Sequence, residues 1–146
     1  MIGKNAAEAV PLIVQVGKSN PSYQVKRYCC EALSMICSNV DSAAIDFIQD
    51  VLLNTKTDSF APSNQQKDAD HARYMAALSL CRLASSTNIA VGPLKEALYK
   101  DSNRYVNGFA LLALKMLGTE ESVIVVDEYT NKTGGYCLKT SVDDPW

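Results

Sequence analysis

The sequence predicts an all-α protein, an α-α superhelix of about seven helices stacked in pairs. Three observations carry this. Three segments superpose without gaps and show one shared apolar face; a second helical element, marked by Pro-Leu, recurs ahead of them; and capping residues fall at the joints. At 146 residues the chain has room for one continuous core and not for two ordinary domains. Residues 1–131 read as the helical domain and 132–146 as a polar tail.

The superposed segments are Val25 to Ile36, Ala72 to Leu83 and Val106 to Leu117, offset by 47 and then 34 residues. Apolar or small residues stand at Val25, Cys29, Ala32, Leu33 and Ile36 in the first segment. They stand at Ala72, Ala76, Ser79, Leu80 and Leu83 in the second, and at Val106, Ala110, Ala113, Leu114 and Leu117 in the third. The spacing i, i+4, i+7, i+8, i+11 is one side of a helix, and it is the same side three times. Small residues at matching places let a neighbouring helix come close while the leucines interdigitate.

Along the chain, the first element runs from Ala9-Val10-Pro11-Leu12 to Lys18 and returns as Val91-Gly92-Pro93-Leu94 to Lys100, 82 residues later. Its middle copy is Asp41 to Asn54, with Asp41 at the N-cap and Ile45, Ile48 and Leu52 turned inward. The two offsets differ by 13 residues, and Thr55 to Gln66 absorbs the difference. With Pro62, Ser63, Asn64 and two glutamines, this stretch reads as a mobile surface loop that tolerates shortening. Asn20 before Pro21, then Asp68 and Asp101, are expected to cap the three superposed helices. Gly118 closes the third, after which Thr119, Glu120 and Glu121 open a last helix. Val123 to Val126 is a β-branched run that suits a strand as well as a helix, and both stay open.

The stretches Ala9 to Ile36 and Ala90 to Gly118 resemble the short bacterial HEAT repeat, the type also found in phycobilin lyases. The shared pattern is a Pro-Leu outer element, an Asp or Asn turn, then Val-Arg and a spaced Ala-Leu helix. The resemblance covers about Ala6 to Tyr129. Lys26 and Arg73 fit its basic position, whereas Asn107 replaces it in the third copy, so a continuous polar ladder between repeats is not expected there. The resemblance implies a curved slab whose inner face is lined by the Pro-Leu helices. The residues it turns toward a partner are Asp46, Gln49 and Asp50 in one copy and Lys95, Glu96 and Tyr99 in the next. Tyr99 is the strongest single candidate, an aromatic on a polar face.

Charge and motifs weigh against several function classes. Fourteen basic against sixteen acidic side chains, a net charge of -2, lack the excess that tracking nucleic-acid phosphates requires. Ala6 to Val16 is broken by Glu8 and Pro11 and reads as no signal peptide. No run reaches the roughly eighteen apolar residues of a membrane span. The five cysteines are an odd number, and four sit in helical patterns, which points to reduced thiols in a cytoplasmic protein. Cys29 and Cys30 read as small core residues, and Cys137 alone is expected to be exposed. His71 is the one histidine and reads as a surface residue near a helix start. Gly134-Gly135 lacks the lysine and the following helix of a phosphate loop. No catalytic, cofactor-binding or metal-ligating residue is assigned.

The expected function is a non-enzymatic scaffold or adaptor that binds another protein, an immunity-type inhibitor being the narrower form. A lyase-like handler of a chromophore or cofactor and a nucleic-acid-binding helical repeat are the alternatives, the latter testable by heparin retention. Val10, Leu12, Ile13, Val14 and Val16 put apolar side chains on more than one face of the first helix. Either the tail folds over that surface or it meets a second copy or the partner, and a homodimer through the N-terminal helix, with Val14 at the contact, is the expectation.

Overall fold

The structure, a computed structural model, describes residues 4–37, 41–58, 60–85 and 87–134, with side chains from Glu8 onward. These residues form seven helices and no strand: α1 (Lys4–Ser19), α2 (Tyr23–Ile36), α3 (Ser42–Asn54), α4 (Ser63–Leu83), α5 (Val91–Lys100), α6 (Arg104–Leu117) and α7 (Glu120–Thr133). Alternate helices lie side by side. One layer holds α2, α4 and α6, the other α1, α3, α5 and α7, and each odd helix packs on the even one beside it in sequence. None of the described helices is long and apolar enough to cross a membrane.

The core lies between the layers. The superposed positions Leu33, Leu80 and Leu114 are fully buried, and against them come Phe47, Ile48 and Leu52 of α3 and Leu94 of α5. Small residues do what their spacing suggests: Ala76, Ala77, Ala110 and Ala113 are wholly buried where α4 and α6 meet their neighbours. Between α1 and α3 the same close approach rests on Gly17. A Cβ built there would run into the Phe47 ring, with Cε2 at 2.8 Å.

Several local expectations are corrected. The N-cap of α2 is Ser22 and that of α6 is Asn103, each accepting a backbone N–H of the first turn. Asn20 and Asp101 stand two residues earlier and accept the N–H of the cap residue itself, at 2.9 Å in both cases. They shape the turn rather than end the helix. Asp68 caps nothing, because α4 begins at Ser63 and carries Asp68 in its second turn. The expected loop is therefore shorter than Thr55 to Gln66. Ser63 to Gln66 belongs to α4, whose 21 residues exceed the 14 of α2 and α6 by two turns, so half of the inserted chain became helix.

Among the described residues, what remains of the loop makes local bonds while the Phe60 side chain is 93% exposed. Gln66 donates to the Ala61 carbonyl at 2.7 Å, the Phe60 N–H reaches Asp58 at 3.2 Å, and Thr55 is buried. Val123 to Val126 is helical, inside α7, which Thr119 caps through the Ser122 N–H. Lys132 and Thr133 also belong to α7, so the tail starts later than 132; Cys137 and Trp146 lie outside the described residues. In α1, Val14 is buried with Val10, contrary to its expected place at a contact, and the outward apolar residues are Leu12 and Val16.

Candidate functional site

Three polar residues at one superposed position hold the two layers in register. Lys26 of α2 donates to the Gly17 carbonyl at 2.7 Å, near the C-terminal end of α1. Arg73 of α4 donates to the Thr55 carbonyl at 2.9 Å, just past α3. Asn107 of α6 reaches the carbonyls of Ala97, Leu98 and Asp101 at 3.0, 3.1 and 3.0 Å, around the end of α5. All three donate to carbonyls at the end of a neighbouring helix, so Asn107 does the work of its basic counterparts without a charge. Arg73 alone also bridges onward. Its Nε and Nη2 meet the Asp101 carboxylate at 2.9 and 3.3 Å, Nη2 meets Asp70 at 2.6 Å, and Asn103 donates to Asp70 at 2.8 Å.

The odd layer carries the six residues named from the sequence. Asp46 and Asp50 of α3 are exposed and Gln49 is half-buried; Asp50 accepts from Asn54 at 2.7 Å. Lys95, Glu96 and Tyr99 of α5 line a cleft of ≈ 410 Å³. Its opposite wall is α7, through Glu128 and Lys132, two residues the sequence reading missed. Tyr99 stands edge-on to Tyr129 at 5.2 Å, and Lys132 Nζ lies 5.5 Å from the Tyr99 ring. The structure thus gathers three of the six and adds α7; Asp46, Gln49 and Asp50 do not line that cleft.

The even layer presents a surface the sequence reading did not single out. Outward from the shared core face, the superposed helices place Tyr28, Met75 and Phe109 in one row, Glu31, Leu78 and Leu112 in the next, and Met35, Arg82 and Met116 in the third. Met35 is 73% exposed, Met116 60%, Tyr28 59% and Leu112 40%, while Met75, Leu78 and Phe109 of the middle ground are half-buried. Phe109 stacks on Tyr74 at 4.9 Å, and Tyr74 meets His71 at 5.0 Å. The signal was in the alignment itself. Read on the side opposite the leucines, it collects three of the chain's four methionines.

Charge divides between the layers. The even helices carry seven basic and three acidic side chains, the odd helices five basic and eight acidic. Lys26 and Arg73 are engaged as described, whereas Arg27 lies over the Tyr28 ring at 5.6 Å with its buried Nε lacking an acceptor.

Burial pushes the thiols of Cys29, Cys30, Cys37 and Cys81 up, and all four are unpaired. Burial, helped by the nearby Arg27 charge, lowers the His71 pKa from its ordinary 6.5. The raised thiols stay protonated at neutral pH, and the imidazole stays neutral. Compared with known proteins, the chain matches no family model, no curated protein and no solved structure.

Proposed function

We propose that the chain is a non-enzymatic protein-binding scaffold or adaptor of the HEAT-like kind, acting in a reducing, cytoplasmic compartment. The observation that carries this reading is the in-register outward face of α2, α4 and α6. Three neighbouring helices show large apolar side chains at matching positions, on a molecule whose leucine columns are already satisfied inside. Exposed apolar side chains gathered on one face, here interrupted by Glu31 and Arg82, are characteristic of a place where another macromolecule sits. Methionine suits such a surface, since its flexible thioether adapts to the shape it meets.

The cleft at Tyr99 is the other candidate contact, and an immunity-type inhibitor is the narrower form of the same reading. Four unpaired thiols accord with the compartment. The test is co-purification with the tagged full-length chain, wild type against Leu112→Asp/Met116→Asp and against Tyr99→Ala, each checked for unchanged helicity. A stoichiometric protein partner lost with one of these variants is the expected result. Retention of no protein by the wild type would overturn the reading.

A further inference from the structure

We infer that the outward face of α2, α4 and α6 receives an amphipathic, acidic helix of a partner protein, laid along α4 with its apolar side on Met75, Leu78 and Leu112. This rests on the protein-binding reading above and names the chemistry of the partner.

Shape comes first. The α4 side chains Met75 and Leu78 are half-buried, while Tyr28 and Met35 on one flank and Leu112 and Met116 on the other stand out. At Met75 and Leu78 the surface is therefore more sheltered than at the four flanking side chains. At 21 residues α4 is about 31 Å long at 1.5 Å per residue, enough to lie beside four or five turns of another helix. Its outward residues His71, Met75, Leu78 and Arg82 recur every three or four positions, the interval at which a partner helix presents its own ridge. An extended peptide would want a sheet edge, and the described residues contain no strand.

Charge selects among helices. On a chain of net charge -2, the even helices hold seven basic against three acidic groups, and with Lys26, Arg73 and its partner Asp70 set aside, five basic groups remain against Glu31 and Asp68, an excess opposite in sign to the charge of the whole chain. Arg27 sits at the seam of α2 and α4, close enough to His71 and Tyr74 to act on both electrostatically, and its Nε has no acceptor. Arg82 is exposed at the far end of α4. Carboxylates on the flanks of a docked helix would meet both. Asp or Glu on those flanks and Leu, Met or Phe at the centre is the sequence this face recognises.

The experiment is selection of binders to the folded full-length chain from a displayed library of random 18-residue peptides. Wild type, Leu112→Asp/Met116→Asp, Arg27→Gln/Arg82→Gln, and Lys95→Glu/Tyr99→Ala are then compared by fluorescence anisotropy, with circular dichroism confirming that each is folded. The expected pool has apolar residues at i, i+3 or i+4 and i+7 with acidic residues beside them. Its peptides lose about tenfold or more in affinity on the Leu112/Met116 variant. On the Arg27/Arg82 variant they lose affinity together with part of its salt dependence, and on the α5 variant they lose nothing.

A pool without helical period or acidic bias, or one sensitive only to the α5 variant, overturns this inference and leaves the protein-binding function standing. An empty pool, with duplex DNA or phosphatidylglycerol vesicles bound through the Leu112/Met116 face instead, overturns both.

Discussion

Arg73 should be the most costly polar residue in the molecule to remove. Its side chain is 6% exposed and that of Asp101 is 4% exposed, and the two meet through Nε at 2.9 Å. Substitution by Met keeps the stem and takes away the guanidinium. The Asp101 carboxylate then stays buried with the Asn103 N–H as a donor at 2.9 Å, and the Thr55 carbonyl loses its partner. Removing one member of a buried pair costs about 3–5 kcal/mol. Asp70, at 29% exposure, recovers water and adds little. Against a total stability of about 5–15 kcal/mol, Arg73→Met should take away about a fifth or more.

In urea, with a slope of about 1–3 kcal/mol per molar, the midpoint falls by about 1 M or more. The double variant Arg73→Met/Asp101→Asn leaves no stranded charge and keeps an acceptor for the Asn103 N–H. It should regain most of the loss, read as a coupling in the mutant cycle. A loss under about 1 kcal/mol in the single variant, or a double variant no better than the single, would refute the argument that the guanidinium is an internal tie.

Other outcomes follow from the same packing. Leu80→Ala should cost about 2–5 kcal/mol because Leu80 is fully buried, whereas Leu112→Ala at the docking face should cost under about 0.5 kcal/mol; equal melting shifts would break the assignment of the two faces. Gly17→Ala gains about 1 kcal/mol of helix propensity but forces the buried Phe47 ring to move, an overpacking cost of about 1–3 kcal/mol. Net destabilisation in thermal melts is expected, and a stabilised variant would show room where none is seen. His71, the chain's single histidine, should titrate by NMR below 6.5. Because the native state resists the proton more than the unfolded chain does, stability falls as pH drops from 6.5 toward the lower native value, and a midpoint above 6.5 would contradict this. Wild type should self-associate in sedimentation through Leu12 and Val16, and Leu12→Glu/Val16→Glu should be monomeric; a concentration-independent wild-type monomer excludes the dimer.

The helix count and the inner face were legible because burial of leucine and alanine at a fixed interval leaves a pattern that one sequence, compared with itself, displays. Leu33, Leu80 and Leu114 fell where that pattern put them. The joints were not legible in the same way. Asn20 and Ser22 are both good caps, and so are Asp101 and Asn103, so composition could not say which of each pair ends the turn. Ser63 to Gln66 looks like loop by residue type, and it became helix because α4 extends ahead of its superposed segment. At the candidate site, α5 was visible through Tyr99, but Glu128 and Lys132 join it only when α7 folds alongside. The even face was hidden for a different reason. Exposed methionine and tyrosine break no rule singly, and they gain meaning only as rows across three helices.

The length of α4 has a consequence for how the molecule breathes. This helix has α2 on one side, α6 on the other and α3 beneath, while α1 and α7 each lie at a margin of their layer. Fraying should therefore begin at the margins, and the amide protons of the buried stretch of α4 from Ala69 to Leu83 should be among the last to exchange. A guest resting on α4 would press against the helix with neighbours on three sides, so less motion should be lost on docking than at a marginal helix. The marginal helices, meanwhile, can loosen and re-form without dislodging it.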